Sequence, residues 1–331
     1  MQGWAWADST RRAINSQQKT FLEFLNTYEL YDFPVSGDTL VVFAAFLIMS
    51  GRLSNSRSVR QYLSAASTLH RMFGLPCDTP STYGPLQNTV RGIDRAFSSP
   101  VKHRLPVDGR ILFNLVSELD FLMSTASWSD KTFFAAVRAL YIVLYFSMLR
   151  AGNTMPISER DFNPTRHLSW GRVSQEGEGV VISIPLSKTI QSLERVHQIP
   201  LAPCDSLAVC PVKALHDLAE LRGAHHCAGD DPVFARWSGC GWAPLTKPPV
   251  DKLFKAQLAR MGLDPSMFSL HSFRHGGLQD GMAANVPISY LRLHSDHKSE
   301  AIQAYLHLPV EKRVCVAQEL ARNLSETIRG M

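Results

Sequence analysis

Six residues between positions 150 and 305 are of types that can grip an anion and move protons around it. Arg150 closes FSMLRAGN at the end of a strongly apolar run, where a guanidinium is costly unless it meets an anion or a fixed partner. Lys188 stands in IPLSKTIQ, where a strand enters a turn. His271 and Arg274 are i and i+3 in SLHSFRHGG, and share a face if that segment is helical. His297 precedes Tyr305 by two helical turns in SDHKSEAIQAYLHL. Taken singly, each has a plain structural account: an ion pair for Arg150, a solvated turn lysine, an accidental His-x-x-Arg, a packed tyrosine. No acidic cluster of the metal-binding kind stands beside them, which argues against a two-metal nuclease.

Their order carries more than their identities. Arg, then Lys on a β-turn, then His-x-x-Arg, then a second His and a Tyr: this series resembles the active-site series of the tyrosine recombinase (phage integrase) family over roughly residues 105–308. The stretch RDFNPTRHLSWGRV followed by SKTIQSLERVHQIPL resembles the recombinases of eukaryotic Crypton- and DIRS-like mobile elements, as does the short His-to-Tyr spacing. The resemblance implies metal-free DNA cleavage without a cofactor. Tyr305 would attack a DNA phosphate to form a 3′-phosphotyrosyl link. Arg150 and Arg274 would hold the non-bridging oxygens, and Lys188 would protonate the 5′-oxygen that leaves. His271 would take the tyrosine proton or bond the phosphate, and His297 would donate a further hydrogen bond. His294 competes with His297 for that last role. Many members of the family carry a Glu or Asp a few residues after the first Arg, a position read here as Thr154, with Asn153 beside it, so support of the site must differ.

The elements that would position these residues read as a mainly α fold with a small β-sheet. The resemblance implies an N-terminal helical core-binding (SAM-like) domain over 1–98, a linker over 99–107, and a tyrosine-recombinase catalytic domain over 108–331. In the first domain a helix capped by Ser9 or Thr10 carries Phe21, Leu22, Phe24 and Leu25 at helical spacing. Asp38 can cap a second, and Ser54 or Asn55 a third that Gly74 and Pro76 end. A fourth covers 86–97. Arg57, Arg60 and Gln61 share one face of the third helix, and Arg91 and Arg95 pair on the fourth. These helices either present arginines to phosphates and base edges or simply carry a solvated face. The linker SSPVKHRLPV offers Lys102 and Arg104 to a phosphate backbone. In the second domain VVISIP and ERVHQIPL flank SKTIQSL as a small sheet with a turn, and helices resume at 211–221 and continue to the end.

Composition bounds this reading without fixing it. At 331 residues and 45% hydrophobic content the chain can bury two cores. The net charge of +5 permits a polyanionic partner, and the first 105 residues hold eleven Lys or Arg against seven Asp or Glu. The six cysteines lack a CxxC pair, so free thiols in a reducing compartment are expected; His225, His226, Cys227 and Cys240 do not have zinc-ligand spacing. Residues 1–15 lack the apolar core of a signal peptide, and the apolar runs at 39–49 and 133–149 read as buried helices, so the expectation is a soluble, non-secreted protein. The expected partners are double-stranded DNA and further copies of the chain, as a tetramer on paired sites. The amphipathic tail EKRVCVAQELARNLSETIRG would dock on a neighbouring protomer or pack on its own domain. The location would be nuclear for a eukaryotic mobile-element protein and cytoplasmic otherwise. A type IB topoisomerase-like enzyme would use the same residues, and a domesticated DNA-binding protein would keep only the binding.

Overall fold

The computed structural model describes residues 8–97, 104–187, 195–223 and 228–296. Lys102, Lys188, His297, Tyr305, residues 225–227 and the amphipathic tail lie outside the described residues. The chain divides into two compact units, Met1–Lys102 and His103–Met331.

The first unit is four helices, α1 (Asp8–Thr27), α2 (Gly37–Met49), α3 (Ser56–Met72) and α4 (Gly84–Ala96). Phe21 and Phe24 of α1 meet Phe43 of α2 with ring centroids 4.9 and 5.0 Å apart, and Val59, Leu63, Leu86 and Val90 close the core around them. Leu22, expected with this set, stands outside it. Two helix starts differ from expectation. Helix α1 already runs through Ser9 and Thr10. Helix α2 is capped by Ser36, whose extended backbone lets its hydroxyl accept from Thr39 N–H at 3.2 Å. Asp38 sits instead inside the first turn, where a carboxylate suits the helix dipole, and accepts the Tyr83 hydroxyl at 2.6 Å. Asn55 caps α3 as expected. His70, fully buried, accepts from Val35 N–H at 3.2 Å and donates to the Ala66 carbonyl at 2.8 Å, pinning the α1–α2 connection to α3.

The second unit is built on two helices. α5 (Gly109–Thr125) is capped by Asp108 and packs along α6 (Trp128–Ser147), which Ser127 caps. From Ala136 to Leu144 every residue of α6 is buried, which is why its sequence shows no amphipathic stripe. Arg138 is tolerated there because it pairs with Asp120 at 2.7 Å and donates to the Ala208 carbonyl at 2.7 Å. A four-residue turn of helix, α7 (Ala151–Thr154), follows. The sheet is an antiparallel meander of β1 (Val173–Glu176), β2 (Gly179–Ile184) and β3 (His197–Leu201), with Ile182 opposite Ile199. β1 was not expected. It pairs through a tight turn in which Gly177 holds φ +60°, and its residues are largely exposed, so no apolar alternation announces it. After α8 (Pro211–Arg222) helices do not continue to the end as expected. A two-stranded hairpin, β4 (Ala235–Trp237) and β5 (Trp242–Pro244), precedes α9 (Lys247–Arg260), α10 (Ser272–Ala283) and α11 (Ile288–His294). No described helix is long and apolar enough to cross a membrane.

Residues 104–108 are fastened across the second unit. Leu105 N–H donates to the Met267 carbonyl at 2.8 Å and Val107 N–H to the Ser272 carbonyl at 2.9 Å. Asp280 of α10 accepts Gly109 N–H at 2.9 Å and the Tyr145 hydroxyl. Burial and that carboxylate push the Tyr145 hydroxyl well above the ordinary phenol range. The approach of α10 depends on glycine: a Cβ on Gly276 would stand 1.6 Å from the Val107 carbonyl oxygen, and one on Gly277 2.3 Å from that of Tyr145. Gly276→Ala is therefore expected to destabilise the protein by about 2–3 kcal/mol, because overpacking against fixed backbone outweighs the roughly 1 kcal/mol that alanine gains over glycine in a helix. Urea unfolding would read this as a lower midpoint; an unchanged midpoint would mean that α10 can withdraw from Val107 without loss.

Candidate active site

Helix α6 stops because Met148 turns left-handed, at φ +52°. Its last carbonyls then lack helical partners, and buried carbonyls must be satisfied from elsewhere. Two candidate residues supply the donors. Arg274, only 1% exposed, donates to the Met148 carbonyl. His294 donates from Nε2 to the Phe146 carbonyl at 2.9 Å. Arg150, partly exposed, follows two residues after Met148 in extended conformation and caps α7. His271 caps α10 one turn before Arg274, and its ring stands 4.9 Å from that of His275. The end of α6 thus gathers the backbone at Arg150, the side chains of Arg274 and His294, and the start of α10. Since Nε2 of His294 is bonded to Phe146, that histidine already holds a structural position.

The β2–β3 connection is tied to the same corner. Asn153, buried, donates from Nδ2 to the Leu186 carbonyl at 2.9 Å. Ser187 Oγ donates to Asp296 Oδ2 at 3.2 Å, and Arg195 forms an ion pair with Oδ1 of the same carboxylate. His197 Nε2 donates to the His294 carbonyl at 3.0 Å. Lys188 adjoins Ser187 in sequence and His297 adjoins Asp296, so the described residues flanking both are joined to each other. Thr154 only closes its own turn, onto the Ala151 carbonyl at 2.9 Å. Asn153, Arg195 and Asp296 make these links, and the sequence pointed to none of them; it marked Thr154 as the position where an acidic residue is usual, with Asn153 only beside it.

In the first unit Arg57, Arg60, Gln61, Arg91 and Arg95 are all exposed on α3 and α4. Arg60 pairs with Asp94 at 2.9 Å, and Ser56 donates to the same carboxylate; those two partners hold Asp94 below its ordinary range. A cleft of about 900 Å³ lies between the helices, lined by Arg60, Ser64, Ser67, Arg71, Gln87 and Arg91. Arg71, unremarked in the sequence, stands eleven residues after Arg60 and so on the same face, three turns on. Arg57, Gln61 and Arg95 do not line the cleft. Arg104 donates to the Ser266 carbonyl and to that of Phe268, the latter at 3.2 Å, and so staples its segment to the turn before α10. Among the described residues no group of three or more His, Cys, Asp or Glu could hold a metal ion.

The fold is shared with solved tyrosine recombinases and integrases. XerH site-specific recombinase bound to palindromic difH substrate matches with a TM-score of 0.58 at 14% identity, over 89% of this chain and 74% of that one. A lambda integrase (75–356) dimer bound to a COC′ core site matches at 0.57 and 16%, over 92% and 90%. The Tn1549 transposon integrase in complex with circular intermediate DNA matches at 0.54 and 12%, over 91% and 92%. Neither a protein-family model nor a curated protein matches the sequence.

The histidines near this corner make stability depend on pH. Burial depresses His197 below its ordinary value, outweighing the hydrogen bond to the His294 carbonyl and the Asp296 carboxylate that oppose it, and burial likewise depresses His167. Each takes up a proton more readily unfolded than folded. Their stabilisation is complete above about pH 6.5, the unfolded value, and is lost as the pH falls from there through the lower folded values. The melting temperature should therefore drop between pH 7.5 and pH 5, by less in His197→Gln; an equal drop in that variant would place the dependence elsewhere.

Proposed function

We propose that this chain is a site-specific DNA recombinase that cleaves and rejoins strands through Tyr305. The observation that supports it most is the single corner at the end of α6. Arg274 reaches the Met148 carbonyl there, Arg150 follows Met148, and the residues adjoining Lys188 and His297 are hydrogen-bonded together. The order of residue types matches the chemistry, and the shared fold belongs to proteins solved on DNA as recombinases and integrases.

In this reading Tyr305 Oη attacks the phosphorus and gives its proton to His271. A 3′-phosphotyrosine forms as the bond from phosphorus to the 5′-oxygen breaks, and Lys188 protonates that oxygen. Arg150 and Arg274 hold the non-bridging oxygens, with charge that persists at any working pH, and His297 donates one more hydrogen bond. The bond energy stays in the phosphotyrosine, so a 5′-hydroxyl from another strand can reverse the step through a Holliday junction. Four protomers on two sites, moving a mobile element, would use this exchange. The arginines of α3 and α4, the cleft between them, and Lys102 with Arg104 would bind the backbone and bases of the duplex. A type IB topoisomerase-like enzyme would share the cleavage step without exchanging partners.

The test uses nicked duplexes drawn from the DNA flanking the chain's own coding sequence. The wild type should give a covalent protein–DNA adduct on a denaturing gel, and Tyr305→Phe should give none while binding the same DNA. An adduct that persists in the variant identifies another nucleophile. DNA bound without any adduct points to a binding protein that has lost catalysis.

Backbone contacts make a separate expectation. If Arg91 neutralises a phosphate, Arg91→Ala should weaken binding across all sequences and make the slope of log K against log salt shallower by about 1. A titration at several salt concentrations that returned the wild-type slope would remove Arg91 from the interface.

A further inference from the structure

Asp296 breaks two local rules at once. It lies just past the C-terminus of α11, where a negative charge opposes the helix dipole. Its φ is +53°, a left-handed conformation that aspartate and asparagine tolerate. Its side chain is 8% exposed, and a buried carboxylate is tolerated only with partners. Those partners are Ser187 and Arg195, more than a hundred positions earlier for both, and they stand on either side of residues 188–194. A residue that local structure disfavours in two ways, and that distant donors hold in place, is held for what the link does.

We propose that Asp296 is a positioning residue, whose carboxylate locks both shoulders of the β2–β3 connection to the end of α11. The lock joins Ser187 and Arg195, which flank residues 188–194 in sequence, to Asp296, which adjoins His297 in sequence. It acts through these neighbours and not by touching the reacting phosphate. The inference rests on the recombinase reading, and its test separates the two.

Asp296→Asn is the informative change. Asparagine tolerates the left-handed backbone and keeps the side-chain size, and Arg195, whose side chain is 41% exposed, can turn to water when its partner loses charge. Cleavage is followed in single turnovers on a nicked duplex and on the same duplex with sulfur in place of the bridging 5′-oxygen. A thiolate leaves without being protonated, because a thiol is far more acidic than an alcohol. Displacing the Lys188 side of the site should slow cleavage of the ordinary duplex on the order of 10²-fold and leave the sulfur duplex within about threefold of wild type. Asp296→Gly, which keeps the backbone conformation and deletes both contacts, should behave alike. Full activity of both variants on the ordinary duplex overturns the proposal. So does an equal loss on both duplexes, which would be the mark of a general structural role. If the wild type cleaves neither duplex, the recombinase reading fails by itself. Hydrogen exchange then still decides the lock: faster exchange in Asp296→Asn over 181–187 and 195–199 supports it, and unchanged exchange there overturns it.

Discussion

The C-terminal end of α6 is where the second unit has to solve its hardest polar problem. Helix α6, wholly buried from Ala136 to Leu144, ends where Met148 turns left-handed, and its last carbonyls have no partners within the helix. Arg274 and His294 take two of those carbonyls. Both are strong donors brought from more than a hundred residues away. The consequence is geometric. To cap α6, α10 must come close enough that only glycine fits at 276 and 277, and the residues after α6, beginning with Arg150, emerge beside a buried guanidinium. The cap and the candidate site are one arrangement.

The same economy extends to the sheet. Asn153, three residues past Arg150, holds the Leu186 carbonyl, and the end of α11 holds Ser187, Arg195 and His197. A net hydrogen bond contributes only about 1 kcal/mol, so no one of these links defines the corner. Their joint effect is to give four chain segments, far apart in sequence, a common reference. A scaffold of this kind suits phosphoryl chemistry done by side chains, where the placement of donors matters more than the strength of any one contact.

How much of this was legible depended on whether the signal was local. Asn55 and Asp108 could be seen as caps or helix starts because capping is written within four residues. β2 and β3 were visible as β-branched runs around a turn. The sequence pointed to Asp38 as the cap of α2, but Ser36 is an equally good capping type, and only the backbone at 36 decides between them. β1 and the β4–β5 hairpin carry too little apolar alternation to be seen. Arg150, Lys188, His271, Arg274, His297 and Tyr305 stood out as a set through their order alone, and three of them, Lys188, His297 and Tyr305, lie outside the described residues. Nothing periodic links Asn153 to Leu186 or Asp296 to Arg195, since such pairs have no spacing rule, and their roles became visible only with the fold.

Two buried arginines show what residue type can and cannot say. Arg138 and Arg274 both lie in apolar stretches and both donate to a carbonyl across the unit. Arg138 pairs with the Asp120 carboxylate at 2.7 Å, halfway along α6 and away from any chain end, and its arrangement is that of a structural pair. Arg274 works at a helix terminus, where the chain turns, where α10 begins and where the sheet is tied down. Position among chain ends separates the two arginines, and burial alone would not have distinguished them.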